Sequence, residues 1–139
     1  EAVFASEIGA AGQAPQRAAL TKKCLNVGAS GGYAPSDSHG AVGPANIVTV
    51  KNVTVGVYAK GNCAVIAPEL NLTSLFAGAG VPGTATLFDP RVIYDKDTKR
   101  FFLTAESMDS GNTDQYQYFA VSSDSTGTSW WIYRSRWSR

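Results

Sequence analysis

Four short apolar runs, each closed by a turn, fill residues 91–134, and no other feature limits the fold of this chain so tightly. Residues 91–95, 100–106, 116–122 and 130–134 are rich in aromatic and β-branched side chains. They are separated by the turn at 96–99, by a polar loop, and by a cluster of Ser, Asp, Thr and Gly. Such runs read as strands, and connections this short oblige consecutive strands to pair antiparallel. From Asn46 onward the same pattern is already present. Residues 47–50 form a β-branched run, and Val53, Val55 and Val57 alternate with Thr54, Gly56 and Tyr58. Residues 63–67 read as a further strand after the break at Lys60-Gly61-Asn62. Leu72 to Phe76 read as a helical turn, followed by a glycine-rich loop over 77–86. The expected fold class is all-β, built from four-stranded antiparallel units.

Residues 1–36 differ from the rest. They are rich in Ala and Gly, residues 15–23 suit a short helix with Pro15 in its first turn, and Gly31-Gly32 and Pro35 end the segment. This part reads as a leader or linker, and residues 37–139 as the folded part. With 139 residues there is room for one domain, and 44% hydrophobic against 17% charged residues is too apolar for a disordered chain. A net charge of +1 supplies no field to draw nucleic acid or an anionic membrane. The basic cluster from Arg134 to Arg139 reads as a solvated tail. No run of 18 apolar residues exists, so no membrane-spanning helix is expected.

The same inventory bears on metals and cofactors. A single histidine, His39, and two cysteines without a CxxC spacing leave no zinc site of the Cys/His kind, and no cofactor is expected. His39, between Asp37 and Gly40, reads as a turn residue. Cys24 and Cys63 can form one disulfide, although the sequence does not show that they meet. Asn52-Val-Thr54 and Asn71-Leu-Thr73 match the glycosylation acceptor pattern. With so little charge, these features lean towards an extracellular protein.

Two further patterns are organisational. Gly43-Pro44 and Asp89-Pro90 each precede a pair of strands, 46 residues apart, a period suited to a propeller blade of four strands. The stretch from Ser122 to Trp130, SSDSTGTSW, is a strand end, a tight turn and an aromatic. An ionised Asp124 can accept backbone N–H groups across such a turn, Gly127 tolerates positive φ, and Trp130 can fold beneath. This stretch resembles the Asp-box of sialidase-like (BNR-repeat) propellers, Ser-x-Asp-x-Gly-x-Thr-Trp. It has one extra residue between Asp and Gly, and Ser129 in place of Thr. More widely, SDSHGAVGPANIVTVKN, FDPRVIYDKDTKRFFLTAES and FAVSSDSTGTSWWIY resemble secreted β-propeller proteins over roughly residues 36–134. The resemblance implies a partial propeller of about two blades, with the box in a turn away from any active site and Asp124, Gly127 and Trp130 in structural roles. It also implies that further blades come from the same or another chain, and that this chain, starting at Glu1, is the leading piece of a longer protein.

Chemistry is then sought at the opposite rim. If residues 91–95 run towards the turn at 96–99, Asp89 and Glu106 share the other end of neighbouring strands, about 4.8 Å apart. Two carboxylates at one rim can serve glycoside hydrolysis, one as acid and one as base or nucleophile. Asp89-Pro90-Arg91-Val92 also looks like the Asp-Pro-x-Val opening of five-bladed glycosidases such as arabinanases and invertases. Arg91 offers a cation to an acidic sugar. The structural alternatives are that Asp89 starts a turn before Pro90, Glu106 is solvated, and Arg91 makes a surface ion pair. Two motif matches are set aside. Gly28-Ala-Ser30-Gly-Gly32 has no helix after it to form a nucleophile elbow, and Gly78 to Gly83 carries Pro82 where a dinucleotide-binding helix would start. Two readings result: an extracellular module that binds a glycan or other surface ligand, or part of a sialidase-like or five-bladed glycoside hydrolase. A plain β-sandwich is a third, structural reading.

Overall fold

The computed structural model describes residues 35–83, 85–108, 111 and 114–137. Eight strands form two four-stranded antiparallel sheets, each a meander in chain order. The first sheet contains β1 (His39–Val42), β2 (Asn46–Lys51), β3 (Thr54–Ala59) and β4 (Val65–Asn71). The second contains β5 (Thr86–Asp95), β6 (Arg100–Met108), β7 (Gln115–Ser122) and β8 (Trp130–Trp137). A helical turn, α1 (Leu72–Leu75), and a 3-10 turn, Ala77–Ala79, join the two. The all-β class expected from the alternation is the class observed.

The registers explain how one core forms. Val48 faces Val57 and Val50 faces Val55, so four β-branched side chains line one face of the first sheet. On the second, Val92, Leu103 and Ala120 stand in one row, with Phe101 and Tyr118 on the same face. β1 and β2 pack against β5, and these residues close into one buried cluster with Leu72 and Phe76. Short side chains on one sheet meet longer ones on the other. Each fully buried side chain of this size contributes about 1.5–3 kcal/mol. Phe76, just after α1, packs on Tyr118 with ring centroids 5.1 Å apart.

Several local expectations are corrected. His39 lies on β1, not in a turn, and its Nδ1 accepts the Val92 N–H at 3.3 Å, tying the two sheets together. The strand before Leu72 is Val65–Asn71, and Cys63 sits ahead of it with a φ of 62°. β5 begins at Thr86, five residues before the expected start, because a bulge lets the strand pass through Asp89-Pro90. Phe88 pairs with Glu106 and Arg91 with Thr104, so Asp89 and Pro90 together oppose Ala105. Proline has no N–H for a ladder, and a bulge is one of the few strand positions that accepts it. Pro44, by contrast, lies between β1 and β2, so the 46-residue proline spacing does not mark equivalent positions.

β8 also runs on to Trp137, past the expected end at Arg134, and the basic cluster is largely strand. Arg134 lies 4.6 Å over the Tyr116 ring, and Arg136 pairs with Asp114. The helix expected over 15–23, Cys24 and the Gly28–Gly32 match lie outside the described residues. Cys63 is disulfide-bonded. Among the described residues no helix is long and apolar enough to cross a membrane. The outer face of the second sheet leaves Ile93, Phe119, Trp131 and Tyr133 exposed, with the Arg100 guanidinium 4.7 Å over Trp131.

Candidate functional site

The turn between β7 and β8 engages its own atoms and the facing sheet. Ser122 Oγ accepts the Phe101 N–H at 2.8 Å and donates to the Asp124 carbonyl. The Asp124 carboxylate accepts the Thr126 N–H at 2.8 Å and the Thr126 hydroxyl at 2.6 Å. Arg100 donates to the carbonyls of Ser122 and Ser123, both at 2.7 Å. Across the core, Asn46 Nδ2 donates to the Thr126 carbonyl at 2.8 Å, which docks the turn on the start of β2. Gly127 sits over Val48 with a φ of 72°. Trp130, half-buried, packs against the core. Among the described residues, the hydrogen bonds of the Asp124 carboxylate are all made within its own turn.

These bonds have a pH signature. The Thr126 hydroxyl, then the Thr126 N–H and Arg100, hold the Asp124 carboxyl below its usual range. At the neighbouring turn the Thr98 hydroxyl, then the Asp97 N–H, do the same for Asp95. A carboxyl lowered in the folded state contributes stability above its unfolded pKa, and that contribution is lost as pH falls through the folded value. The melting temperature is therefore expected to fall on acidification below the ordinary carboxylate range. In Asp95→Asn/Asp124→Asn that acid limb should flatten. Superimposable acid limbs in calorimetric scans of the two proteins would rule the turn carboxylates out as its source.

Both turns lie at one end of the second sheet, since β5 to β6 and β7 to β8 each reverse there. Glu106 lies near the other end, on the outer face and exposed. Asp89 is also exposed, held by the bulge in a left-handed conformation with φ of 49°. It is one residue from Phe88, the cross-strand partner of Glu106. The bulge thus sets Asp89, with Pro90, opposite Ala105, the residue before Glu106. Arg91 registers against Thr104 and donates to the Pro90 carbonyl at 3.3 Å.

A cleft of about 240 Å³ opens at this rim, lined by Phe88, Glu106, Ser107, Gln115, Tyr116, Gln117 and Trp137. Its floor follows from register. Phe88, Glu106 and Gln117 stand in one cross-strand row, and Gln115 and Trp137 in the next. Trp137 is 69% exposed, an unusual position for so large an apolar surface. Gln117 Nε2 donates to the Ala105 carbonyl at 3.3 Å. Among the described residues the Glu106 carboxylate has no hydrogen-bond or ion-pair partner. Neither Asp89 nor Arg91 is among the lining residues.

Of the residues singled out in the sequence, Glu106 alone lines the cleft. A strand expected to end at Arg134 leaves out Trp137, while Gln115 falls in the expected loop and Gln117 in the expected strand 116–122, where neither marks a site. The alternation Gln115-Tyr116-Gln117-Tyr118 was the one signal that could have found the glutamines, as a polar stripe on one face of β7. Among the described residues no three His, Cys, Asp or Glu side chains gather to hold a metal ion. The chain matches no protein-family model, no curated protein and no solved structure.

Proposed function

We propose that this chain supplies blades of a secreted, sialidase-like β-propeller, and that the rim cleft at Glu106 and Trp137 binds a glycan without catalysis. The observation that carries the binding reading is the cleft itself. An exposed tryptophan beside a carboxylate and two carboxamides offers an apolar platform for a sugar ring, with hydrogen-bonding groups at its edge. Two consecutive meander sheets packed face to face support the blade reading, as does a turn of Asp-box composition joining third and fourth strands. The exposed Ile93, Phe119, Trp131 and Tyr133 support a further sheet over the part of the second sheet's outer face that lies beyond the rows of the cleft. The disulfide at Cys63 supports an oxidising, extracellular compartment.

A glycan array followed by calorimetry tests the reading. Trp137→Ala should weaken binding of any captured glycan by at least about tenfold, the scale of losing one stacked aromatic anchor. Because Trp137 is exposed, the melt should hardly move. Equal affinity in the variant would remove the cleft from consideration. The hydrolase reading is retained as second, supported by Asp89 lying opposite Ala105, next in the chain to Glu106. For it, Asp89→Asn should abolish turnover of an aryl glycoside with little change in stability. Absence of turnover in the parent protein would leave binding as the function.

A further inference from the structure

We infer that a trough on the outer face of the first sheet seats residues 25–34 of this chain, tethered by a disulfide between Cys24 and Cys63. The inference does not depend on the reading of the rim cleft. Cys63 is disulfide-bonded, and Cys24 is the only other cysteine of the chain. Cys63 lies in the turn between β3 and β4, where its N–H donates to the Ala59 carbonyl at 2.8 Å. The β1–β2 turn is at the same end of the sheet, since the Lys60 N–H donates to the Ala45 carbonyl at 2.8 Å. Pro35 lies at the opposite end. Its carbonyl accepts from Asn52 Nδ2 at 3.1 Å, and the Asn52 N–H donates to the Ser36 carbonyl at 3.0 Å, beside the β2–β3 turn. A chain held at Cys63 and at Pro35 must therefore travel the length of the sheet. Residues 25–34 reach about 35 Å when extended, and strands as long as β2 and β3 measure about 20 Å. That allows one pass and no return.

The outer face offers a path of matching shape. The inner face is taken up by the core. On the outer face Val42, Ile47, Tyr58 and Val65 stand in one cross-strand row at the Cys63 end. Val42 and Val65 are 55% and 60% exposed. Next towards Pro35 come Gly40, Thr49 and Gly56, and then Lys51. Val42, Ile47, Gly40, Thr49 and Lys51 line the trough, of about 350 Å³, together with Ser38. Ser38 is three residues beyond Pro35, so the chain enters β1 past the trough's lower end. The segment agrees in order. Leu25 and Val27 follow Cys24, at the end where the apolar row lies. Gly28, Ala29, Ser30, Gly31 and Gly32 come next, small enough to pass over a floor of Gly40 and Thr49. Covering the apolar row with Leu25 and Val27 offsets the entropy lost in ordering the segment.

Two measurements on the full chain test this. Peptide mapping without reduction should recover Cys24 joined to Cys63, and a Cys63 link between two chains would overturn the tether. Hydrogen exchange read by mass spectrometry tests the seat. Amides of residues 25–34 should exchange at least about tenfold more slowly than in an unstructured chain of the same sequence. Thr49→Arg, which plants a long charged side chain on the floor of the trough, should abolish most of that protection while β5–β8 keep theirs. Should Thr49→Arg also loosen the second sheet, Val42→Arg, at an exposed position, is read in its place. Unprotected amides in the parent overturn the inference, as does protection that survives the substitution in a folded protein. Protection that rises with protein concentration would put a second copy on the trough, and overturns it too.

Discussion

Gly127→Ala is expected to destabilise the fold by about 3 kcal/mol, a large share of the roughly 5–15 kcal/mol that holds a domain together. Two costs add. The position has a φ of 72°, where an L side chain is disfavoured by roughly 1–2 kcal/mol. A Cβ there would also stand 2.6 Å from Val48 Cγ2 and 3.1 Å from Phe101 Cδ2. Neither neighbour has room to retreat, since Val48 and Phe101 are fully buried, and overpacking of this kind costs about 1–3 kcal/mol. In thermal denaturation followed by circular dichroism the midpoint should drop by about 10 °C. Thr128→Ala, one residue on and exposed, should change it little. Equal midpoints for Gly127→Ala and the parent would show that the turn does not dock on Val48.

Phe76→Ala should cost about 3–5 kcal/mol by a different route, a cavity in place of a clash. Phe76 is fully buried and closes the connection between the sheets onto Tyr118. Losing it removes a tilted ring contact and leaves Leu72 as the buried side chain that anchors the connection. Urea unfolding should show a lower midpoint with an unchanged slope if both sheets still unfold together. A shallower or biphasic curve would mean instead that the connection is what makes them cooperate. The two substitutions act at separate contacts between the sheets, Val48 with Gly127 and Phe76 with Tyr118, so their costs should nearly add.

What the sequence revealed follows from which interactions are local. The second sheet was legible because Phe101, Leu103 and Ala105 alternate with half-exposed neighbours, and because Asp95 and Asp124 sit at the heads of turns whose bonds are made within a few residues. β1 was not legible. His-Gly-Ala-Val carries too little alternation to declare a strand, and it pairs only because β2 presents an edge. The bulge at Asp89 hid the first half of β5 for a related reason: proline reads as a strand breaker unless a neighbouring ladder tolerates an extra residue. The cleft depended on register across β7 and β8, which the length of the turn between them sets. A slip of one residue there would carry Trp137 to the opposite face, so no inspection of residues 130–137 alone could place it.

All three tryptophans of the protein, Trp130, Trp131 and Trp137, lie on β8. They occupy unlike surroundings: one half-buried against the core, one beneath a guanidinium, one open at the rim. Intrinsic fluorescence therefore reports on a single strand at the margin of its sheet and says little of the first sheet. Should β8 detach before the rest, emission would shift while the backbone signal of the other seven strands stayed intact. An unfolding curve taken from fluorescence alone would then describe the peeling of one ribbon, and agreement with far-ultraviolet circular dichroism is what would license reading it as the stability of the whole.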